Sequence, residues 1–173
     1  LDAATLGLMG SGSLGNGVAR QAEAFGMRVL RAEHKGAGVL RPGYTEFNEV
    51  LRQGDASSLH CPLTPQTQGL IGEVELRAMK ANALLINTAR GGLVDERALA
   101  AALRAGRIAG AGFDVPTTEP PREGNPPLDP DIPNLILTPP PAWASSEAVQ
   151  ALLDQVHANG EAIAAGTPRT LVT

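Results

Sequence analysis

The chain has 173 residues, of which 43% are hydrophobic, 18% charged and 3% aromatic, with a formal net charge of −4. That length suffices for one domain with a full core, built mainly from Leu, Val, Ile and Ala because aromatics are scarce. The acidic balance argues against nucleic acid or an anionic membrane as partner, and the single cysteine, Cys61, excludes an intrachain disulfide framework and fits a reducing, cytoplasmic compartment.

In chain order, the first apolar run, Leu6–Met9, is expected to be a strand. It leads into Gly10-Ser-Gly12-Ser-Leu-Gly15 and a helix expected over Leu14–Phe25, with Leu14, Val18, Ala22 and Phe25 sharing one face. A second strand, over Arg28–Ala32, delivers Glu33. Strand, glycine loop, helix and acid in this order form a dinucleotide-binding fingerprint. The first glycine makes the tight turn, the second lets the backbone approach a pyrophosphate, and the third lets helix and strand pack closely. The helix N-terminus offers free N–H groups and partial positive charge to the phosphates. An acid at the end of the second strand hydrogen-bonds the adenosine ribose hydroxyls and repels a 2′-phosphate. The pattern therefore points to NAD(H), with NADP less favoured, and Lys35 lies close enough to soften that discrimination. No metal site is expected.

Further strands are expected at Ser57–Cys61, Leu84–Asn87, Ala111–Val115 and Leu135–Leu137, and helices at Thr45–Arg52, Val74–Met79, Glu96–Ala105 and Ser146–Ala164. Asp95 reads as the N-cap of the Glu96 helix and Gly106 as the residue that closes it. Most of these strands are short and almost continuously apolar, as parallel strands covered on both faces are. The expected fold is α/β: a Rossmann-type, doubly wound, mostly parallel sheet with helices on both faces. Residues 1–173 are expected to form a single dinucleotide-binding domain, its ligands lying beyond the carboxyl ends of the strands.

After the fourth strand, Asn87-Thr-Ala-Arg90-Gly-Gly brings a guanidinium to the crevice, a planar fork suited to clamping a carboxylate. A lone arginine there would more simply pair with Asp95 or Glu96 at the surface. It is accompanied, in order, by His60-Cys-Pro-Leu-Thr-Pro-Gln-Thr67, by Gly110-Ala-Gly-Phe-Asp-Val115 with Glu119, and by Leu137-Thr-Pro and Ala142-Trp143. With the glycine loop, these segments resemble the cofactor domain of the NAD-dependent D-2-hydroxyacid dehydrogenases, in particular the glycerate/hydroxypyruvate-type members. The resemblance runs over practically the whole chain.

It implies that Gly10, Gly12 and Gly15, with Ser13 and Leu14, hold the phosphates and that Glu33 holds the ribose. It further implies that His60, Cys61, Pro62 and Thr67 line the adenine and ribose side, that Thr88 and Ala89 lie beside the nicotinamide, and that Asp114 holds its carboxamide. Arg90 matches the catalytic arginine, beside the cofactor, that binds the substrate carboxylate and polarises its carbonyl. Glu119 matches the acid that orients a catalytic histidine and raises its pKa.

That histidine is replaced. The family pattern Thr-Pro-His-x-Ala-Trp here reads Thr138-Pro-Pro-Pro-Ala-Trp143, with Pro140 where the general acid/base belongs. Proline has no proton to give, and a well-placed acid/base contributes roughly 10²–10⁴-fold. The family's smaller substrate domain, which precedes the cofactor domain, is expected to be absent. Arg31 in the second strand, the polar Ala56-Ser-Ser58 and Gly160 in the last helix remove apolar surface where family members pack against another subunit or domain. Solubilisation of an isolated cofactor domain and drift in a decaying paralogue both account for those changes.

The expected function is an NAD(H)-binding domain suited to hydride transfer between NADH and a 2-keto acid such as hydroxypyruvate or glyoxylate, with little or no turnover by this chain alone. The alternatives are a working enzyme completed by a separate substrate domain, a non-catalytic NAD-sensing or protein-interaction module, and a structural domain whose glycine loop is a relic. The expected partners are the small 2-keto or 2-hydroxy acid and either a second copy in a homodimer or a separate substrate domain.

Overall fold

The computed structural model describes residues 3–115, 117, 131–138 and 145–169. The chain divides into two compact units, 1–138 and 139–173. In the first, β1 (Thr5–Met9), β2 (Arg28–Arg31), β3 (Ala56–Leu59), β4 (Leu84–Asn87), β5 (Gly110–Phe113) and β6 (Leu135–Leu137) form one sheet in the order β2-β1-β3-β4-β5-β6. Every neighbouring pair is parallel. Helices α1 (Ser13–Ala24), α2 (Phe47–Gln53), α3 (Glu73–Ala78) and α4 (Glu96–Arg104) connect the strands, with a 3₁₀ turn at Gly91–Leu93. From β1 the chain winds outward to β2, then crosses back to β3 on the other side of β1. Strand order reverses there, and a crevice opens beyond the carboxyl ends.

A large apolar cluster joins Val50, Leu51, Leu76, Leu99 and Leu103 of α2, α3 and α4 to Met9, Leu59, Leu85 and Phe113 of the sheet. A smaller one joins Leu6 and Leu8 of β1 to Ala19 and Ala22 of α1. Of the face that apolar periodicity suggests for α1, Ala22 is buried and Val18 packs partly buried against this cluster, but the two ends are not part of it. Leu14 and Phe25 are 78% and 68% exposed, and the buried residues are Gly15, Ala19 and Ala22. A Cβ on Gly15 would lie 2.0 Å from the carbonyl oxygen of Gly10, so α1 sits almost against the loop before it and only small side chains fit beneath. Close approach has overridden side-chain hydrophobicity.

Three strands also end earlier than expected, β2 at Arg31, β3 at Leu59 and β5 at Phe113. The residues after β3 and β5, His60 and Asp114, still donate their N–H groups to Met9 O and Asn87 O of the neighbouring strands. Asp95 caps α4 as expected, its carboxylate accepting the N–H groups of Arg97 and Ala98 at 3.0 Å. Gly106 follows in the left-handed region at φ +61°, which an L side chain adopts only with strain.

At the opposite, amino-terminal edge of the sheet, Asp55 uses every polar atom it has. Its N–H donates to Thr5 O at 2.8 Å and its carbonyl accepts from Leu84 N–H at 3.0 Å. Its Oδ2 accepts from Thr5 N–H at 2.8 Å and its Oδ1 from Lys80 Nζ at 2.7 Å. The ammonium, then the Thr5 N–H, hold this carboxyl below the usual aspartate range.

The second unit contains α5 (Ser146–Ala164), whose N-terminus is capped by Ser145 Oγ accepting from Ala148 N–H at 3.1 Å. No helix among the described residues is long and apolar enough to cross a membrane.

Candidate functional site

A cavity of about 420 Å³ lies beyond the carboxyl ends of β1, β2 and β3. Its walls are Met9 to Gly12 after β1, Ala32 to Lys35 after β2, and His60 to Pro62 after β3, completed by Arg41, Tyr44, Phe47, Gln66, Thr67 and Leu70. The strands point their ends at one space, and the loops that follow them supply its chemistry.

The floor is the glycine loop. Gly10 turns at φ +101°, and a Cβ there would come within 2.7 Å of the His60–Cys61 backbone. Gly12 behaves differently: its Cβ would meet nothing within 4 Å, so this glycine opens onto free space. Asn16 ties the loop to the helix, its Nδ2 donating to Ser11 O at 2.7 Å. The hydroxyl oxygen of Ser11 is buried with no hydrogen-bond partner among the described residues. Helix α1 has neither a side-chain cap nor an acid in its first turn, whereas α2, α4 and α5 are capped by Glu46, Asp95 and Ser145. Its first N–H groups are thus left to an external acceptor, and the helix dipole makes an anion the favoured one. A pyrophosphate fits this cradle.

The acid after β2 is not a free carboxylate. Glu33 is 3% exposed. Its Oε1 accepts from His34 N–H at 2.8 Å and from Arg41 Nη2 at 2.7 Å. Its Oε2 accepts from Arg41 Nε at 2.7 Å and from Arg41 N–H at 3.1 Å. The guanidinium foremost, then the His34 N–H, lower its pKa to about 2. Arg41 stacks on Tyr44, with Cζ 3.9 Å from the ring centroid. Lys35 is engaged elsewhere, donating to Glu75 Oε1 at 2.9 Å and to Leu70 O at 3.3 Å. Nothing in the sequence marks Arg41: it stands in a Pro/Gly-punctuated loop with no periodicity, eight positions from its partner. The only sequence signal is a basic residue in the loop that follows the expected ribose acid.

On the facing wall His60 Nε2 lies 2.9 Å from Ser58 Oγ, and partial burial holds the imidazole below its usual pKa. Burial likewise pushes the Cys61 thiol up, away from thiolate. Thr67 Oγ1 accepts from Thr64 N–H at 2.8 Å and donates to Pro62 O at 2.7 Å, fixing the loop. The cavity therefore brings together Gly10, Gly12, Glu33, His60, Cys61, Pro62 and Thr67. Ser13 and Leu14 stand exposed on the first turn of α1, outside the cavity wall, and Gly15 is buried beneath it.

Thr88, Ala89, Arg90 and Asp114 are also outside that wall, at the carboxyl ends of β4 and β5. Arg90 is exposed, with Nη1 donating to Ala89 O at 2.6 Å. Its backbone is held by Asn87, fully buried, whose Nδ2 donates to Arg90 O at 2.9 Å and whose Oδ1 accepts from Ala89 N–H at 3.1 Å. Asp114 follows β5 with a buried Oδ1 that has no hydrogen-bond partner among the described residues. An orphaned carboxylate oxygen beside a crevice suits an amide N–H donor from a ligand. Glu119 and Pro140 lie outside the described residues.

The family model for the D-isomer specific 2-hydroxyacid dehydrogenase, NAD binding domain, matches residues 1–140. A glycerate dehydrogenase of Methylorubrum extorquens is 51% identical over 168 residues, covering 97% of this chain and 52% of that protein. A hydroxypyruvate reductase of Blautia hydrogenotrophica is 36% identical over 175 residues, covering 99% and 54%. Among solved structures, a D-isomer specific 2-hydroxyacid dehydrogenase from Lactobacillus delbrueckii ssp. bulgaricus in its NAD-complexed form superposes with a TM-score of 0.84 at 35% identity, covering 98% of this chain and 56% of that one. The chain thus spans about half the length of the curated relatives it matches.

Proposed function

The chain belongs to the D-isomer specific 2-hydroxyacid dehydrogenases as their NAD-binding domain, and on that premise we propose that its crevice serves hydride exchange between NADH and a small 2-keto acid such as hydroxypyruvate or glyoxylate. The observation that carries the reading is the uncapped N-terminus of α1 behind an open Gly12, at the point where strand order reverses.

In this reading Gly10, Gly12 and the first-turn N–H groups of α1 hold the phosphates. Glu33, His60, Cys61, Pro62 and Thr67 enclose the adenosine, and Asp114 Oδ1 takes the carboxamide N–H. Bound NADH supplies the hydride. Arg90, on a loop fixed by Asn87, clamps the substrate carboxylate and polarises the carbonyl, where preorganised positive charge is most effective. The developing alkoxide then needs a proton. Pro140 has none to give, and Glu119 has no histidine at that position to orient. His60, with a lowered pKa and a nitrogen engaged by Ser58, is a poor substitute. This chain alone therefore binds NADH with little or no turnover.

The loss of the acid/base at Pro140 favours one second reading, a non-catalytic NAD-sensing module that works by binding a partner protein or a second copy of itself. Calorimetric titration with NADH, followed by an assay of hydroxypyruvate-dependent NADH oxidation, tests both. Binding without turnover supports the proposal. Absence of NADH binding, or turnover at an ordinary enzyme rate on the order of 10 s⁻¹, overturns it. Pro140→His raising the rate when a substrate domain is added would favour the enzymatic reading over the sensor.

A further inference from the structure

A pocket that admits only NAD presents an unpaired acid at the adenosine ribose, so that the 2′-phosphate of NADP meets a negative charge with no counter-ion. This pocket does not. A carboxylate offers about four acceptor positions, and Glu33 has all four engaged, three of them by Arg41. Its charge is matched by a guanidinium within the same cavity wall. The remaining wall charges are also paired, Lys35 with Glu75.

Arg41 itself is only partly used. Nε and Nη2 form the fork to Glu33, the Tyr44 ring covers one face of the guanidinium, and no described residue takes Nη1. The side chain is 51% exposed. Its backbone is fixed, because Arg41 N–H donates to Glu33 and Arg41 O accepts from Tyr44 N–H at 3.0 Å. The loop closes on β2 through Thr45, whose N–H donates to Arg31 O and whose carbonyl accepts from Glu33 N–H, both at 2.8 Å. A positioned guanidinium with a free edge suits a phosphate.

We propose that Arg41 sets the cofactor selectivity of this domain, neutralising Glu33 and offering its free Nη1 edge to a 2′-phosphate, so that NADPH binds alongside the preferred NADH. The proposal rests on the reading of the crevice as an NAD site and adds a specificity-determining residue to it.

The test is calorimetric titration of the full chain with NADH and with NADPH, for the unsubstituted protein and for Arg41→Ala, Glu33→Gln and the double variant. In the unsubstituted protein NADPH should bind within about tenfold of NADH. Arg41→Ala should weaken NADPH by about ten- to a hundredfold, the range of a charged hydrogen bond, and change NADH by less than about threefold. Glu33→Gln frees the guanidinium and should bring the ratio to about one or invert it. Arg41→Ala leaves a buried carboxylate unpaired, so where it fails to fold the double variant decides. With no charge left at position 33, it should bind NADPH about tenfold or more weakly than Glu33→Gln does. Discrimination beyond about a hundredfold in the unsubstituted protein overturns the proposal. Equal losses for both cofactors on removing Arg41 also overturn it, and assign the pair to loop structure alone. Failure of NADH itself to bind takes down the underlying site reading, an outcome separable from the other two.

Discussion

The amide of Asn87 holds the backbone of Arg90 at 2.9 Å while its own carbonyl oxygen receives Ala89 N–H, so one buried side chain closes both ends of a three-residue loop. The guanidinium it supports is exposed; the staple is not. Asn87→Ala removes both bonds; the Arg90 carbonyl keeps the N–H of Leu93 at 3.3 Å, while the half-buried Ala89 N–H loses its acceptor, at a cost of about 1–3 kcal/mol. Urea unfolding of the variant should show that loss. A change below about 0.5 kcal/mol would mean that the loop is held by something else.

Gly12 and Gly15 separate fold from binding. Gly12→Ala adds a methyl that meets no protein atom within 4 Å. Stability should change by less than about 1 kcal/mol, the scale of an N-cap substitution, while NADH affinity falls at least about tenfold because the methyl occupies the approach to the pyrophosphate. Gly15→Ala drives a methyl into the Gly10 carbonyl and should destabilise by more than about 1–3 kcal/mol. Equal affinity of Gly12→Ala and the unsubstituted chain for NADH, measured by calorimetry, would refute the placement.

Acid should act on the Glu33–Arg41 pair. The folded chain holds Glu33 at about 2, below its ordinary value of 4.5, so between those values the unfolded state binds more protons. The contribution of the pair is complete above pH 4.5 and is lost as pH falls toward 2. Melting temperature followed over this interval should drop less steeply for Glu33→Gln than for the unsubstituted protein. Asp55, Glu49 and Glu75 are also held low and contribute to both curves alike. Superimposable slopes would show that the pair adds nothing to stability.

In α5, Gly160 sits exposed inside a helix, and a Cβ there would meet nothing within 4 Å. Gly160→Ala should therefore stabilise this helix by about 0.5–1 kcal/mol through propensity alone. Helical circular dichroism through a thermal melt is the check. A loss of stability would indicate that something not visible in the local geometry needs the glycine.

The sheet was largely legible because most of its strands are short apolar runs, although β3 carries Ser57 and Ser58 and β2 begins and ends in arginine. The phosphate loop was legible because Gly10 needs a positive φ and Gly15 stands where a Cβ would meet the Gly10 carbonyl. Two things were not. Side-chain size reads Leu14 and Phe25 as ends of the inner face of α1, but α1 approaches the loop as closely as Gly15 allows, and the residues beneath it are Ala19 and Ala22, with Val18 partly buried beside them. Likewise Glu33 reads as a free acid because its position in the fingerprint is local. Its counter-ion arrives from a loop with no periodic signal, brought back by Thr45 pairing with Arg31. Periodicity reports which elements exist. It is silent on close approach and on partners delivered by loops.

Asp55 gathers the starts of β1 and β4 onto its own backbone and carboxylate, with Lys80 as the fourth party. The ionic hardware of this edge lies at the opposite end of the strands from the crevice. The two edges are consequently free to change independently: loops at the mouth can be rewritten while the heel keeps the central strands in register. A domain built this way is a chassis, and its selectivity is a property of what is bolted to one end.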